Sequence, residues 1–356
     1  LIAQFLTKQW QLKPPEVLIT VIGGAQDFAL PLEIVEAFSD GLASAATSSN
    51  AWVLTGGTDA GVMKMVGTAM QSHHTKVPLI GIPAWGTTNH NAQLASCHGG
   101  RVTYDWEAPS INGAPLNSAH SHFILVDSGT AGKAAWGAEI AFRSALENYL
   151  AEVKRVPLVQ LVVQGGPGTM RMVASFASKG RPIIVMVDAG GAGTAIQQYV
   201  LGGMNAVDPK FHGAAAELEV IRKANESYEK RQLHFFSLRN EGRDNDLSKV
   251  ILQAIISMLE AKLSIEAKLS KGQAIGDSAE QRAQERKRLA ADAKMLTLAI
   301  NWNRTDVAHT LLKSSSILSS INIGYVIEKA MQRALEQRKV DLWRCCWGCR
   351  ARPSRE

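Results

Sequence analysis

The chain is poor in cysteine: its 356 residues carry four, Cys97 and the crowded Cys345, Cys346 and Cys349. That is not the spacing of a secreted, disulfide-stapled domain, and a reducing cytosol is the simplest setting. The tail CCWGC (345–349) holds a single C-x2-C pair, and a structural zinc site needs a second ligand pair that the chain does not obviously supply. Nowhere do about 18 apolar residues follow one another, so no membrane-spanning helix is expected. The first residues also lack the basic, apolar and small-residue order of a signal peptide. The expectation is a soluble chain that by itself neither crosses a membrane nor enters the secretory path.

Charge is moderate. Charged residues make up 20% and apolar ones 46%, which excludes disordered, collagen-like and coiled-coil classes for the chain as a whole. The formal net charge is +6 and the pI about 9.1, with much of the excess in the last third, at Arg286-Lys287-Arg288 and at Arg344, Arg350, Arg352 and Arg355. A solvated helix face explains this better than nucleic acid, and no nucleic-acid partner is expected. For the basic stretch RAQERKRLAADAKML (282–296) the same reading is favoured, with calmodulin or acidic lipid as the alternative.

Between about residues 15 and 213 one rhythm repeats: a Val/Ile/Leu run, a glycine-containing turn, and a segment with helical periodicity. The runs are VLITVIGG (17–24), AWVLTGG (51–57), VPLIGIPAWG (77–86), HFILVDSGT (122–130), LVQLVVQGG (158–166) and PIIVMVDAGG (182–191). Being nearly continuous instead of alternating, they predict strands buried on both faces of a mostly parallel sheet. Helical periodicity over 31–49, 61–74, 138–153 and 169–180 supplies the crossovers of an α/β, Rossmann-like doubly wound fold. The insert 90–121, rich in Gly, Pro, Asn and Ser, reads as a long loop near the ligand face. After Gly213 strands vanish from the pattern. The expected organisation is an extension at 1–14, the α/β domain at 15–213, a helical region at 214–340 and a basic Cys-containing tail at 341–356.

In a doubly wound sheet the turns after the strands gather at the carboxyl edge, where ligands bind. Glycine lets backbone approach a phosphate, and helix N-termini present N–H groups with a partial positive charge. The candidate ligand residues are therefore Gly23, Gly24 and Ala25 after the first run, Gly56, Gly57 and Thr58 after the second, and Trp85 and Gly86 after the third. Gly165, Gly166, Pro167, Gly168 and Thr169 follow the fifth, and Asp188 the sixth. Two common fingerprints are missing. TGGTDAGVMK places Lys64 before Met65 and lacks the Lys-Ser/Thr pair of a Walker loop, and G-x-G-x-x-G spacing does not occur.

In WGAEIAFRSALENYL (136–150), Glu139, Arg143 and Glu147 stand at i, i+4 and i+8. Spacing alone favours salt bridges on a surface face; the alternative has Trp136 stacking on a base and Arg143 forking onto a phosphate. His120-x-His122 lacks a neighbouring cysteine or carboxylate cluster, which favours a structural or hydrogen-bonding role over a metal site.

LITVIGGAQDFAL (18–30), AWVLTGGTDAGVMKMVGTAM (51–70), IGIPAWGT (80–87), NSAHSHFILVDSGT (117–130), WGAEIAFRSALENYL and LVVQGGPGTM (161–170) together closely resemble the N-terminal homology region of the melastatin-type transient receptor potential (TRPM) channels, over roughly residues 15–240. LAINWNRTDVAHTLL (298–312) resembles the start of the ankyrin-like helical repeats that follow there. The resemblance implies a SLOG-type Rossmann-like domain on the cytosolic side of a tetrameric, calcium-permeable cation channel at the plasma membrane. Partners would be the remainder of the channel chain and the other subunits. No cofactor or catalytic residue is implied.

In the ADP-ribose-gated member, which the chain resembles most, a Tyr and an Arg of Y-G-V-E-I-P-L-R touch the ligand. The matching positions here are Trp136 and Arg143, which the resemblance therefore favours as ligand residues. A second ligand Arg falls, by spacing, on Ala192. Loss of one charge-assisted contact of about 1.5–3 kcal/mol implies affinity lower by roughly 10- to 100-fold. The wider SLOG group includes phosphoribohydrolases with a signature resembling P-G-G-x-G-T-x-x-E. Laid on this chain, its carboxylate position is Met172, and a thioether cannot stabilise charge at an anomeric carbon. The resemblance thus implies a sensor of ADP-ribose or a related adenine nucleotide, with a hydrolase or a non-binding assembly scaffold as alternatives.

Overall fold

The computed structural model describes residues 2–105, 107, 113–227, 232–239, 246–272 and 295–302, with isolated helical positions 305, 308, 328, 331, 332, 334 and 335. It has two compact units, Leu1–Ala254 and Ile255–Glu356.

In the first unit, α1 (Ile2–Lys8) precedes β1 (Leu18–Gly23), and α2 (Leu32–Ser48) leads to β2 (Trp52–Thr55). Next come α3 (Gly61–Ser72), β3 (Leu79–Gly81), the short α4 (Asn91–Ser96) inside the insert, and β4 (His122–Phe123). They are followed by α5 (Ile140–Asn148), β5 (Leu158–Val163), α6 (Pro167–Ala177), β6 (Ile183–Met186), α7 (Gly191–Gly202), α8 (Ala215–Ser227) and β7 (Leu233–Phe236). A last helix, α9, begins at Leu247.

The strands form one sheet, ordered β4-β3-β2-β1-β5-β6-β7, in which every neighbouring pair is parallel. The chain winds outward from β1 in one direction, then returns to β5 on the other side. Their carboxyl ends therefore part at the β1/β5 boundary, with Gly23 paired to Val163.

The continuous apolar runs have a direct packing cause. In β1, Leu18 and Ile22 join a core cluster with residues of α1, α5, α6, α7 and α8. The intervening Ile19 and Val21 are also buried, on the opposite face. On that face α2 lies against α3, and Gly41 of α2 sits so close to α9 that a Cβ there would stand 2.5 Å from Leu247 Cβ. Both faces are covered, so a polar residue at either set of positions needs a buried partner, as Thr20 of β1 has.

The domain boundary expected at 213 needs correction. β7 pairs with β6 in register Ile183↔Leu233 to Met186↔Phe236, and the first unit runs to Ala254. Four residues, LHFF, are too short a run to stand out from the helical segments around them, and only sheet pairing makes them a strand. Likewise residues 1–14 are not a mere extension, since Leu6 of α1 is fully buried in the sheet core. In the second unit, 295–301 are helical. Most of the ankyrin-like segment, the basic stretch 282–294 and the Cys-containing tail lie outside the described residues, as do the calmodulin and zinc readings attached to them.

Candidate functional site

A cleft of about 370 Å³ opens at the carboxyl edge where β1 and β5 diverge. Three walls converge on it: the ends of β1, β2 and β3, the start of α5, and the first turn of α6. Its position follows from topology alone, because this is the point where strand order reverses.

The floor is built by close approach. A Cβ on Gly23 would stand 1.9 Å from the carbonyl oxygen of Val163, so only glycine lets β1 and β5 stay paired to their ends. The Thr169 hydroxyl donates to the Gly23 carbonyl at 3.1 Å, tying the first turn of α6 to the end of β1. Gly165, at φ +98°, turns the chain out of β5. α6 then starts with Gly166 as N-cap and Pro167 in its first turn, so no capping side chain covers the helix N-terminus. Gly166, Gly168, Thr169, Arg171 and Met172 line the cleft from this side.

The neighbouring helix starts are occupied. In α3, the Gly61 amide donates to Asp27 Oδ1 at 2.8 Å and the Val62 amide to the Gly24 carbonyl at 2.8 Å. In α7, the Ala192 amide donates to the Gly165 carbonyl at 2.8 Å. The first turn of α6 is left as the anion-attracting end on the cleft.

Of the residues anticipated from sequence, Gly23, Ala25, Gly56, Thr58, Trp136, Arg143, Gly166, Gly168 and Thr169 line the cleft. Trp136 is 46% exposed and offers an open aromatic face. The other anticipated residues lie behind the lining. Gly24 and Gly165 accept the helix amides just named, and the Gly57 carbonyl accepts from the Asn117 amide. The Trp85 amide donates to the Val126 carbonyl, Gly86 lies against the Thr130 carbonyl, and Pro167 serves α6. Asp188 accepts from the Ser237 hydroxyl at 3.0 Å and the Leu238 amide at 2.7 Å, fixing the end of β7.

Arg143 lines the cleft but departs from the surface reading of its helix. It is buried, and so is its partner Glu147, whose Oε1 accepts from Arg143 Nε at 3.0 Å. One Nη donates to the Thr20 hydroxyl, to the Val21 carbonyl at 3.1 Å and to the Leu54 carbonyl at 3.0 Å. Thr20 in turn donates to Glu147 Oε1. The expected surface salt bridge is thus a buried clamp holding α5 on β1 and β2, and most of the guanidinium is committed to it. Spacing could not disclose this, since i, i+4 pairs look alike on either face.

Sequence reasoning did not pick out Arg171, which is exposed on the cleft wall, and it read Glu139 both as a surface salt-bridge partner and as a carboxylate that could approach the pocket from its helix. Glu139 is the carboxylate among the described lining residues. Its Oε2 is sealed from solvent without a hydrogen-bond partner, and burial raises its pKa against the opposing pull of nearby amides and Arg143.

Behind the turn after β2 runs a polar chain. Thr55 Oγ1 accepts from the Gly57 amide at 2.9 Å and contacts His120 Nε2 at 2.7 Å. His120 Nδ1 meets Asn117 Oδ1 at 2.9 Å, and Asn117 Nδ2 donates to Asp59 at 2.6 Å. The Asn117 oxygen can only accept, so Nδ1 carries the proton and Nε2 accepts from Thr55. Burial pushes the His120 pKa down to about 4, in keeping with a neutral ring. His120 therefore fills the hydrogen-bonding role that its sequence context favoured, and the insert holds the turn below Gly56 and Thr58.

An all-parallel doubly wound sheet with a crevice at its switch point, one wall carrying a glycine-rich helix start, defines a Rossmann-like protein of the ligand-crevice type. The sequence family described as SLOG in TRPM matches residues 1–226. The chain is 32% identical to transient receptor potential cation channel subfamily M member-like 2 of Nematostella vectensis, over 86% of this chain and 20% of that protein. It is 30% identical to member 1 of Mus musculus, over 86% of this chain and 19% of that protein. Against member 6 of Homo sapiens it is 30% identical, over 94% of this chain and 16% of that protein. The chain belongs to the TRPM family and contains its N-terminal SLOG region, spanning about a fifth of the length of these relatives. Among the described residues no helix is long and apolar enough to cross a membrane.

Proposed function

We propose that the chain is the ligand-sensing, cytosolic N-terminal region of a calcium-permeable TRPM-type cation channel, and that it binds ADP-ribose or a related adenine nucleotide in the cleft. The observation that carries this reading is the cleft itself: about 370 Å³ at the switch point, with the uncapped first turn of α6 on one side and the open face of Trp136 on the other. That volume lies in the range of small-molecule sites. Phosphates lie on the backbone of Gly166, Gly168 and Thr169, and the base stacks on Trp136. The charge contact passes from Arg143, which the buried clamp occupies, to Arg171. Bound ligand favours one arrangement of the channel subunits over another, and only a difference in affinity between those arrangements biases the pore.

Met172 on the cleft wall supports a non-enzymatic site, because it offers a thioether where hydrolysis needs a carboxylate. One observation favours the scaffold reading instead: Ala192, where the resemblance placed a second ligand arginine, is fully buried in α7 and does not reach the cleft.

Titration calorimetry with ADP-ribose on the native chain and on Arg171→Ala tests the proposal. Binding by the native chain with a loss of about 10- to 100-fold in the variant is expected, from one charge-assisted contact. Equal affinities remove Arg171 from the site, and absence of heat with the native chain leaves the scaffold. Chromatography of the mixture recovers intact ADP-ribose; its consumption would mean an enzyme.

A further inference from the structure

Glu139 stands at the start of α5 as the carboxylate among the described lining residues, facing a cleft that also holds Arg143 and Arg171. Three observations set it apart. Its Oε2 is buried and accepts no hydrogen bond. Arg143, one turn further along α5, attracts it through space but makes no hydrogen bond to it, because its Nε is bonded to Glu147 and one Nη to Thr20 and two carbonyls. Arg171 projects from α6 on the opposite wall and forms no ion pair among the described residues.

A buried acceptor without a partner is costly, and such atoms are rare enough in folded proteins to need an explanation. Oε2 meets no protein donor, and the half-buried side chain lines the cleft, so a donor from a molecule in the cleft that draws the carboxylate round is the economical explanation. The charge arrangement limits which molecule. A phosphate is repelled by Glu139 and drawn to the α6 wall, where the helix start and Arg171 are. What meets Glu139 must be a neutral group with O–H or N–H donors, carried by the same ligand. In a phosphorylated sugar or nucleotide the hydroxyls of the sugar are such donors, and a carboxylate accepts them readily.

We infer that Glu139 is the specificity-determining residue of the cleft, accepting a hydrogen bond from a ribose hydroxyl and so selecting hydroxylated over deoxygenated sugar phosphates. This rests on the nucleotide-sensing reading. A site built around a hydroxyl rejects the analogue that lacks it strongly, because Glu139 Oε2 is then left without a partner.

The test is competition calorimetry on the full chain against bound ADP-ribose. Two pairs probe both halves of that ligand: AMP against 2′,3′-dideoxy-AMP, and ribose 5-phosphate against 2-deoxyribose 5-phosphate. In at least one pair the hydroxylated member should compete at least about 10-fold better, and Glu139→Ala should bring that pair to within about 2-fold. Glu139→Gln, which keeps an acceptor oxygen, should retain part of the preference. If ADP-ribose binds and neither pair discriminates on the native chain, the Glu139 assignment is overturned while the sensing proposal stands. The same holds if discrimination survives in a folded Glu139→Ala. If ADP-ribose gives no heat, both fail.

Discussion

A guanidinium at 5% exposure holds its charge in the interior only where its donors are met, and at Arg143 they are met by Glu147, Thr20 and the carbonyls of β1 and β2. Breaking a buried pair from one side leaves an uncompensated charge and costs about 3–5 kcal/mol. Arg143→Met and Glu147→Leu are each expected to lose stability on that scale in urea denaturation at neutral pH. The double variant should recover much of the loss, because two apolar side chains then face each other. Additive losses would mean the two residues do not act as a pair. Arg171 makes the opposite case. It is exposed and not ion-paired among the described residues, so Arg171→Ala should unfold within about 0.5 kcal/mol of the native chain. Two arginines on one cleft thus separate by assay, one read in stability and the other in ligand affinity.

Among the elements, the turn after β2 depends on a neutral histidine. His120 has its pKa pushed down to about 4 by burial, as does His234 on β7, against about 6.5 when unfolded. The unfolded chain therefore takes up these protons first as pH falls. Their contribution to stability is complete above about pH 6.5 and is lost on acidification towards pH 4, at up to about 1.4 kcal/mol per pH unit for each ring. His120→Gln should be less stable at pH 7 for want of its hydrogen bonds, yet show a slope between pH 6.5 and 5 smaller by about one proton. Parallel slopes would show that His120 does not titrate as described. Sequence could favour hydrogen bonding for His120, having no metal-ligand cluster beside it, but not its partners: Thr55 is 65 residues away. The same limit applies to the helices. Crossover segments α2, α3, α5 and α6 were legible from apolar spacing, whereas the burial of Arg143 was not, since periodicity tells which residues share a face and not what covers a polar one. Glu139 could be brought near the pocket by its helix but not singled out there, since the feature that marks it is an absent hydrogen bond, which only the folded structure reveals.

For the whole molecule, the strands of the central sheet were legible because β1, β2, β5 and β6 are buried on both faces and so are written as unbroken apolar runs. The cleft followed from them, as glycine turns at parallel strand ends converge wherever the order reverses. What was not legible is where the sheet stops. β7 has only four residues and gets its strand character from pairing with β6, while α8 before it packs on α6 and α7. Leu218, Ile221, Leu233 and Phe236 are each at most 5% exposed. Burial of a large apolar side chain contributes about 1.5–3 kcal/mol, so these four together approach the roughly 5–15 kcal/mol by which domains are stable. Cutting at 213 would remove them and bare the edge of β6, a template for unwanted strand pairing. Residues 1–254 should therefore express as a soluble monomer with a single cooperative thermal transition, and residues 1–213 should aggregate or melt without cooperativity. Size-exclusion chromatography and calorimetry of the two chains decide the matter, and a cooperative transition in the shorter one would return the domain boundary to Gly213.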